Sequence, residues 1–291
     1  MEHVERYLAP TRLQQALAAL GGPGGAIVLA GGTDLMPQSH AGRLRRAPLL
    51  LNIRRVEGLD SIRVDGQTLV IGTLVTVAQA MRSELVCRHA PLLATVGEKF
   101  ASEQVRNAAT IGGNVCNASP AGDLLTPLLA LDAEFELASL AADGSTLTRR
   151  VPVARFFSGP GRTQRTGDEL LTAVRVPCAG PDQRARFYKG GTRQALDIST
   201  ISIALVAGCG ADRRWHGVRL ALGAVAPVPM RATGAEALLE GTVPDAASVA
   251  AAAAAAAADA HPIDDVRASA WYRRELLHNM VQRMLEDVVT R

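Results

Sequence analysis

Two glycine-rich segments carry the residues best suited to grip an anion. The first is Val28-Leu29-Ala30-Gly31-Gly32-Thr33-Asp34-Leu35, where an apolar run enters paired glycines and then a short hydroxyl residue. The second is Thr110-Ile111-Gly112-Gly113-Asn114. Glycine lets backbone N–H groups turn toward an anion with no side chain in the way, and Thr33 adds a hydroxyl donor. Two such loops on different strands can clamp a diphosphate from both sides. Taken singly, each is also an ordinary tight turn. Neither is a dinucleotide fingerprint of the G-x-G-x-x-G kind, because Gly21 to Gly25 precedes its strand instead of following it. No G-x-x-x-x-G-K-[ST] loop occurs either.

Other polar residues point to no chemistry of their own. The four cysteines, Cys87, Cys116, Cys178 and Cys209, include no C-x-x-C pair, so they read as buried reduced thiols and not as a zinc or iron–sulfur site. The six histidines are scattered, with no H-E-x-x-H, and His216 and His261 read as exposed. Arg43, Arg45 and Arg46 read as a solvated basic cluster, and Asp264-Asp265 as a cap for the last helix. No metal site and no catalytic residue acting on a substrate is therefore assigned. A net charge of +3 and an aromatic content of 3% argue against nucleic acid as a partner. No apolar run reaches the roughly 18 residues of a membrane helix. The start of the chain, Met1-Glu2-His3-Val4-Glu5, is charged and has no apolar signal core, so no transmembrane segment and a cytoplasmic location are expected.

The elements that must position the glycine loops follow from periodicity and turn chemistry. The chain has 291 residues, 48% of them hydrophobic, enough for one large domain or two modest ones. A helix is expected over Thr11 to Leu20 with Thr11 as its N-cap, then strands at Ala26–Ala30 and Leu49–Ile53. Ser61–Val64 and Thr68–Ile71 flank Asp65-Gly66, a hairpin signal. Helices are expected from Thr76 and over Pro91–Phe100. Glu103 to Asp123, rich in Gly, Asn and Pro, reads as one long irregular segment, and such segments are usually functional. Strands follow at Ala133–Ser139, Thr146–Val151 and Leu170–Val176. Pro177 to Gln183 is the best boundary, so the domains are expected at 1–177 and 184–291. Beyond it lie strands at Arg186–Lys189, Ile198–Val206 and Gly217–Val225. Helices then run over Arg231–Leu239, Asp245–Asp259 (with nine consecutive alanines) and about Arg267–Val289. The pattern is α+β without regular β-α alternation.

Five stretches together resemble one family. Ala30-Gly31-Gly32-Thr33-Asp34-Leu35 is similar to the first diphosphate loop of the FAD-binding (medium) subunits of molybdenum hydroxylases, as in the carbon monoxide dehydrogenase medium chain and the xanthine dehydrogenase FAD domain. Gln104-Val105-Arg106-Asn107-Ala108-Ala109-Thr110-Ile111-Gly112-Gly113-Asn114 is similar to the second. Ala118-Ser119-Pro120-Ala121-Gly122-Asp123 follows at the family spacing. Val225-Ala226-Pro227-Val228-Pro229-Met230-Arg231 and Ser269-Ala270-Trp271-Tyr272-Arg273-Arg274-Glu275-Leu276 resemble signatures of the family's C-terminal domain. The resemblance implies an FAD-binding domain of the vanillyl-alcohol-oxidase (PCMH) type, made of two α+β subdomains, plus a smaller C-terminal α+β domain. Carried over position by position, Leu29 to Leu35 would hold the FAD diphosphate from one side and Thr110 to Asn114 from the other. Asp123 would accept from a ribose hydroxyl, Phe100 would lie against the cofactor, Leu171 would meet the isoalloxazine edge, and Lys189 would approach the ring from the C-terminal domain. Asp123 as a helix cap, Phe100 as ordinary core and Lys189 as a solvated strand end stay open. An Arg193–Asp197 ion pair near the flavin also follows from the resemblance, with a surface salt bridge as the alternative.

The implied activity is electron transfer. FAD, bound noncovalently, would take electrons from [2Fe-2S] clusters of a small partner chain beside a molybdopterin-binding large chain, in a dimer of heterotrimers, and pass them to an external acceptor such as NAD+ or a quinone. The rival reading is a self-contained flavin oxidase of the same broad fold, with FAD attached through a residue such as Cys116.

Overall fold

The computed structural model describes residues 4–44, 47–193 and 196–289; Arg45 and Arg46 of the basic cluster lie outside them. The first unit comprises β1 (Arg6–Leu8), α1 (Leu13–Leu20), β2 (Ala26–Leu29), α2 (Leu35–His40) and β3 (Leu49–Asn52). Its three strands form a parallel sheet in the order β1-β3-β2. Leu17 and Leu20 of α1 pack with Leu49, Leu51 and Ile53 in one small core. Helix α1 starts later than the sequence predicts. Arg12 is its N-cap, with no side-chain cap bond, while the Thr11 carbonyl accepts from the Glu57 N–H at 2.9 Å.

The second unit holds most of the helices. It runs β4 (Ile62–Asp65), β5 (Thr68–Gly72), α3 (Val77–Arg82), α4 (Glu84–His89), α5 (Pro91–Lys99), α6 (Glu103–Ala108), α7 (Ile111–Asn117) and α8 (Leu125–Ala130). There follow β6 (Glu134–Leu140), β7 (Thr146–Pro152), α9 (Val153–Phe156), β8 (Phe157–Gly159), β9 (Arg162–Thr163) and β10 (Leu170–Pro177). Five of these strands form an antiparallel sheet, β4-β5-β10-β6-β7. β10 is apolar along most of its length because it lies at the centre, and every residue from Leu170 to Val176 is buried. Thr76 and Gln79 close a reciprocal capping box on α3. The expected irregular stretch 103–123 is instead largely helical. Ser102 caps α6, accepting from the Val105 N–H at 3.2 Å, and Thr110 caps α7, accepting from the Gly113 N–H at 3.0 Å. Those local bonds offset the poor helix propensity of Gly112, Gly113 and Asn114.

The third unit is β11 (Gln183–Gly190), β12 (Ile201–Cys209), β13 (Trp215–Gly223), β14 (Met230–Arg231), α10 (Thr233–Leu239), α11 (Ala246–Asp259) and α12 (Ala270–Val289). Its antiparallel sheet runs β11-β12-β13-β14. Leu277, Val281, Met284, Leu285 and Val288 form one buried stripe of α12. The alanine run forms α11, whose Val249, Ala252, Ala253 and Ala256 are buried, the small side chains permitting close approach. Of the two aspartates expected to cap α12, Asp264 does so, accepting from the Ala270 N–H at 2.5 Å beside Ser269 Oγ, which accepts from the Tyr272 N–H at 3.1 Å; Asp265 instead closes the preceding turn, accepting from the Arg267 and Ala268 N–H groups. Asp265 also accepts from Arg273 Nη2 at 2.7 Å. This unit packs on the second through α8, with Thr126 Oγ1 and Ser202 Oγ 2.8 Å apart in the buried seam. No helix among the described residues is long and apolar enough to cross a membrane.

Candidate functional site

The two glycine loops meet. Leu29 ends β2, Ala30 to Asp34 form the turn, and Leu35 opens α2. Gly31 lies so close to the segment before α7 that a Cβ on it would be 2.0 Å from the Ala108 carbonyl oxygen and 3.2 Å from Ala109 Cα. Only a glycine permits that contact. The turn completes at Gly32, with φ +77°. Among the described residues, no backbone carbonyl accepts from the N–H groups of Gly31, Gly32, Thr33 or Asp34. These donors are held together and remain available to a ligand. The Asp34 side chain is taken by Gln38.

The second loop is braced from below. The Val77 N–H donates to the Ala109 carbonyl at 2.9 Å, and the Ile111 N–H to the Val75 carbonyl at 2.9 Å. The Gly112 N–H donates to the Thr73 carbonyl at 3.0 Å, and the Thr73 N–H in turn to the Thr172 carbonyl at 2.9 Å. A Cβ on Gly112 would be 1.7 Å from Thr73 Oγ1, so α7 can seat here only with glycine. Leu171, buried beside Thr172 in β10, is thus one short hydrogen-bonded chain away from Gly112. Asn114 Oδ1 is buried and has no partner among the described residues. A buried carbonyl oxygen without a donor is costly, and a ligand donor would satisfy it. Phe100 packs in the same core as Ile111 and Leu171. Arg106 fixes its turn, Nη1 donating to the Phe100 carbonyl at 2.8 Å and to that of Ala101 at 3.0 Å.

Asp123 and Lys189 come together as a pair. Lys189 Nζ donates to Asp123 Oδ2 at 2.6 Å and to the Lys99 carbonyl at 3.1 Å. Ser199 Oγ donates to Asp123 Oδ1 at 2.8 Å. The Asp123 and Lys189 side chains are only 11% and 7% exposed. Lys189 is therefore no solvated strand end. Burial pushes the Asp123 carboxyl above its ordinary range, against the opposing effect of Lys189 and Ser199. Spacing alone gives no hint of Ser199, Thr73 or Arg106 in these roles, since none sits in a repeating or motif-like interval with its partner.

The Arg193–Asp197 ion pair is corrected. Asp197 Oδ2 accepts from Thr192 Oγ1 at 2.9 Å and the Arg193 N–H at 3.2 Å, and Oδ1 from the Ile198 N–H at 2.9 Å. The Arg193 guanidinium donates instead to the Leu196 carbonyl. The carboxylate closes a loop and leaves the guanidinium to the main chain; residues 194 and 195 of that loop lie outside the described residues. His216 is exposed, as expected, and its Nε2 lies 2.8 Å from Asp182 Oδ2. On α7, burial pushes the Cys116 thiol up against the opposing charge of Arg165, which makes it a poor nucleophile.

Free, clustered N–H donors, an orphaned buried acceptor and a buried carboxylate suit a ligand that carries both an anionic bridge and hydroxyl or N–H donors. A dinucleotide has all of these. Comparison with known proteins gives the same answer. Residues 2–179 match the family described as "FAD binding domain in molybdopterin dehydrogenase", and residues 186–288 match "CO dehydrogenase flavoprotein C-terminal domain". The carbon monoxide dehydrogenase medium chain of Hydrogenophaga pseudoflava is 34% identical over 280 residues, covering 96% of this chain and 95% of that protein. The xanthine dehydrogenase FAD-binding subunit of Escherichia coli is 32% identical over 287 residues, covering 97% and 95%. Among structures, carbon monoxide dehydrogenase from Hydrogenophaga pseudoflava superposes with a TM-score of 0.89 at 33% identity, covering 96% of this chain and 95% of that one. Quinoline 2-oxidoreductase from Pseudomonas putida reaches 0.89 at 28% identity, covering 98% and 96%. With both halves matched over nearly their full length, this chain belongs to the FAD-binding medium subunits of the molybdenum hydroxylase family, and FAD is its cofactor.

Proposed function

We propose that the chain holds FAD noncovalently in the cradle between Gly31 and Gly112 and serves as the electron-transfer subunit of a cytoplasmic molybdenum hydroxylase. The observation that carries this reading is the contact between Gly31 and the Ala108 carbonyl, which sets the free N–H donors of the first loop against the start of the second. FAD supplies a ring that exchanges electrons singly or in pairs. The N–H groups of Gly31 to Asp34 neutralise the diphosphate from one side and the 110–114 segment supports it from the other. Asn114 Oδ1 accepts from a cofactor donor. A carboxylate offers about four lone-pair sites, so Asp123 can take a ribose hydroxyl while keeping Lys189 and Ser199. Lys189 has three N–H donors, two of them engaged, and the third is free for the ring. Phe100 and Leu171 exclude water.

In this proposal, a small [2Fe-2S] chain and a large molybdopterin chain complete a dimer of heterotrimers, the domains divide at 178–183, and NAD+ or a quinone is the final acceptor. The medium-chain designation of the Hydrogenophaga relative supports the division of labour. The test is to express the chain alone. It should be yellow, release free FAD on acid precipitation, and hydroxylate substrate only after both partners are added. Colourless protein that ignores added FAD, or hydroxylation by the isolated chain, would overturn the proposal. Acceptors supplied one at a time to the assembled complex then identify the terminal oxidant.

A further inference from the structure

The Asp123 carboxylate is held on both oxygens by groups from the C-terminal part of the chain. Lys189 of β11 takes Oδ2 at 2.6 Å and Ser199, in the segment leading into β12, takes Oδ1 at 2.8 Å. Ser199 is only 1% exposed. The residue after it is pinned from two sides. The Thr200 N–H donates to the Gly190 carbonyl at 2.7 Å. The Thr200 carbonyl accepts from Nη1 of Arg273, a side chain only 4% exposed, which also donates to the Ala224 carbonyl at 3.0 Å. These bonds hold the backbone next to Ser199, whose buried hydroxyl donates to Asp123.

We propose that Ser199 is a positioning residue for the cofactor site: with Lys189 it locks the Asp123 carboxylate and ties the C-terminal part of the chain to the dinucleotide cradle, so FAD retention depends on a hydroxyl that itself touches no cofactor. This rests on the FAD-binding reading above. The groups facing Asp123 are Lys189 from β11 and Ser199 before β12, and the Lys99 carbonyl at the end of α5 steadies Lys189. A ribose hydroxyl donates to the ionised carboxylate, so FAD affinity falls as free Asp123 takes up a proton. Burial raises that tendency and the Ser199 hydrogen bond lowers it. Removing the hydroxyl must therefore make affinity fall at a higher pH.

The experiment titrates the full-length apo chain with FAD by flavin fluorescence at a series of pH values, for wild type, Ser199→Ala and Ser199→Cys. Cysteine is close to serine in shape but is a weak donor, so it separates hydrogen bonding from packing and provides a second variant if alanine fails to fold. Both variants should lose about tenfold in FAD affinity at neutral pH, the worth of one hydrogen bond to a charged group. In both, the acid limb should move to higher pH. Wild-type affinity in either folded variant, or a weakened affinity whose acid limb stays at the wild-type pH, would overturn the positioning role. Failure of wild type itself to bind FAD would instead overturn the reading beneath it.

Discussion

At the scale of single residues, the cradle depends on two hydrogen atoms where other residues have a Cβ. Gly31 and Gly112 have no room for a methyl group: the Ala108 oxygen would be 2.0 Å away in one case and Thr73 Oγ1 1.7 Å in the other. In the first case the obstacle is main chain, which yields only if the loops separate. Gly31→Ala should therefore weaken FAD binding by at least about tenfold, with overpacking costing roughly 1–3 kcal/mol of stability. Gly112→Ala should behave similarly, with Thr73 and the Gly112–Thr73 hydrogen bond displaced. Gly167→Ala is the control, because nothing lies within 4 Å of an added Cβ there. Flavin titration and thermal denaturation of the three variants make the comparison. Undiminished FAD affinity in Gly31→Ala would show that the contact between loops is irrelevant to the cofactor.

At the scale of elements, what could be read in advance was what short-range chemistry specifies. The hairpin at Asp65-Gly66 has its expected pairing, with Asp65 opposite Thr68, because turn chemistry and alternation act within a few residues. Helices α6 and α7 are hidden in the sequence: Gly112, Gly113 and Asn114 carry turn propensity, and the opposing contributions come from caps and from Thr73, a residue distant in the chain. The Asp123–Lys189 contact spans 66 residues and follows no period, so only the resemblance to a family put both near one cofactor, and nothing paired them. One device at this scale is testable by acid. The strap between β9 and β10 is gathered on Glu169, which accepts from Arg149 Nη2 at 2.8 Å and the Thr166 N–H at 2.8 Å. The hydrogen-bonded Arg149 guanidinium is the main reason the Glu169 carboxyl is lowered from 4.5 to about 2. A depressed carboxylate stabilises the fold fully above its unfolded value, and the benefit is lost as pH falls from about 4.5 through about 2. Urea midpoints measured across that window should fall with pH more steeply in wild type than in Glu169→Gln, which has no carboxylate to protonate. Equal slopes would mean the strap contributes nothing to acid stability.

At the scale of the whole molecule, the question is whether the cradle and the C-terminal part fold as one unit. Their seam carries three kinds of tie: the Asp123 cluster, Asp132 accepting from Arg219 and Arg231 at 2.8 and 3.0 Å, and the buried hydroxyl pair of Thr126 and Ser202 at 2.8 Å. The Asp132 pairs, on a carboxylate half exposed to solvent, are weak individually, but a buried hydroxyl stripped of its partner costs about 1–3 kcal/mol. Thr126→Val should thus destabilise the chain by that amount, since it keeps the shape and leaves the Ser202 hydroxyl unsatisfied. Adding Ser202→Ala removes the orphan, so the double variant should recover most of the loss. Because Trp215 and Trp271, the two tryptophans, both lie beyond the seam, their fluorescence reports the C-terminal part while FAD release reports the cradle. If the seam joins one cooperative unit, both signals in a urea titration move together in Thr126→Val and return together in the double variant. A tryptophan transition that separates from flavin release in the wild-type protein would mean that the two parts unfold independently and that the seam ties are too weak to transmit the state of one to the other.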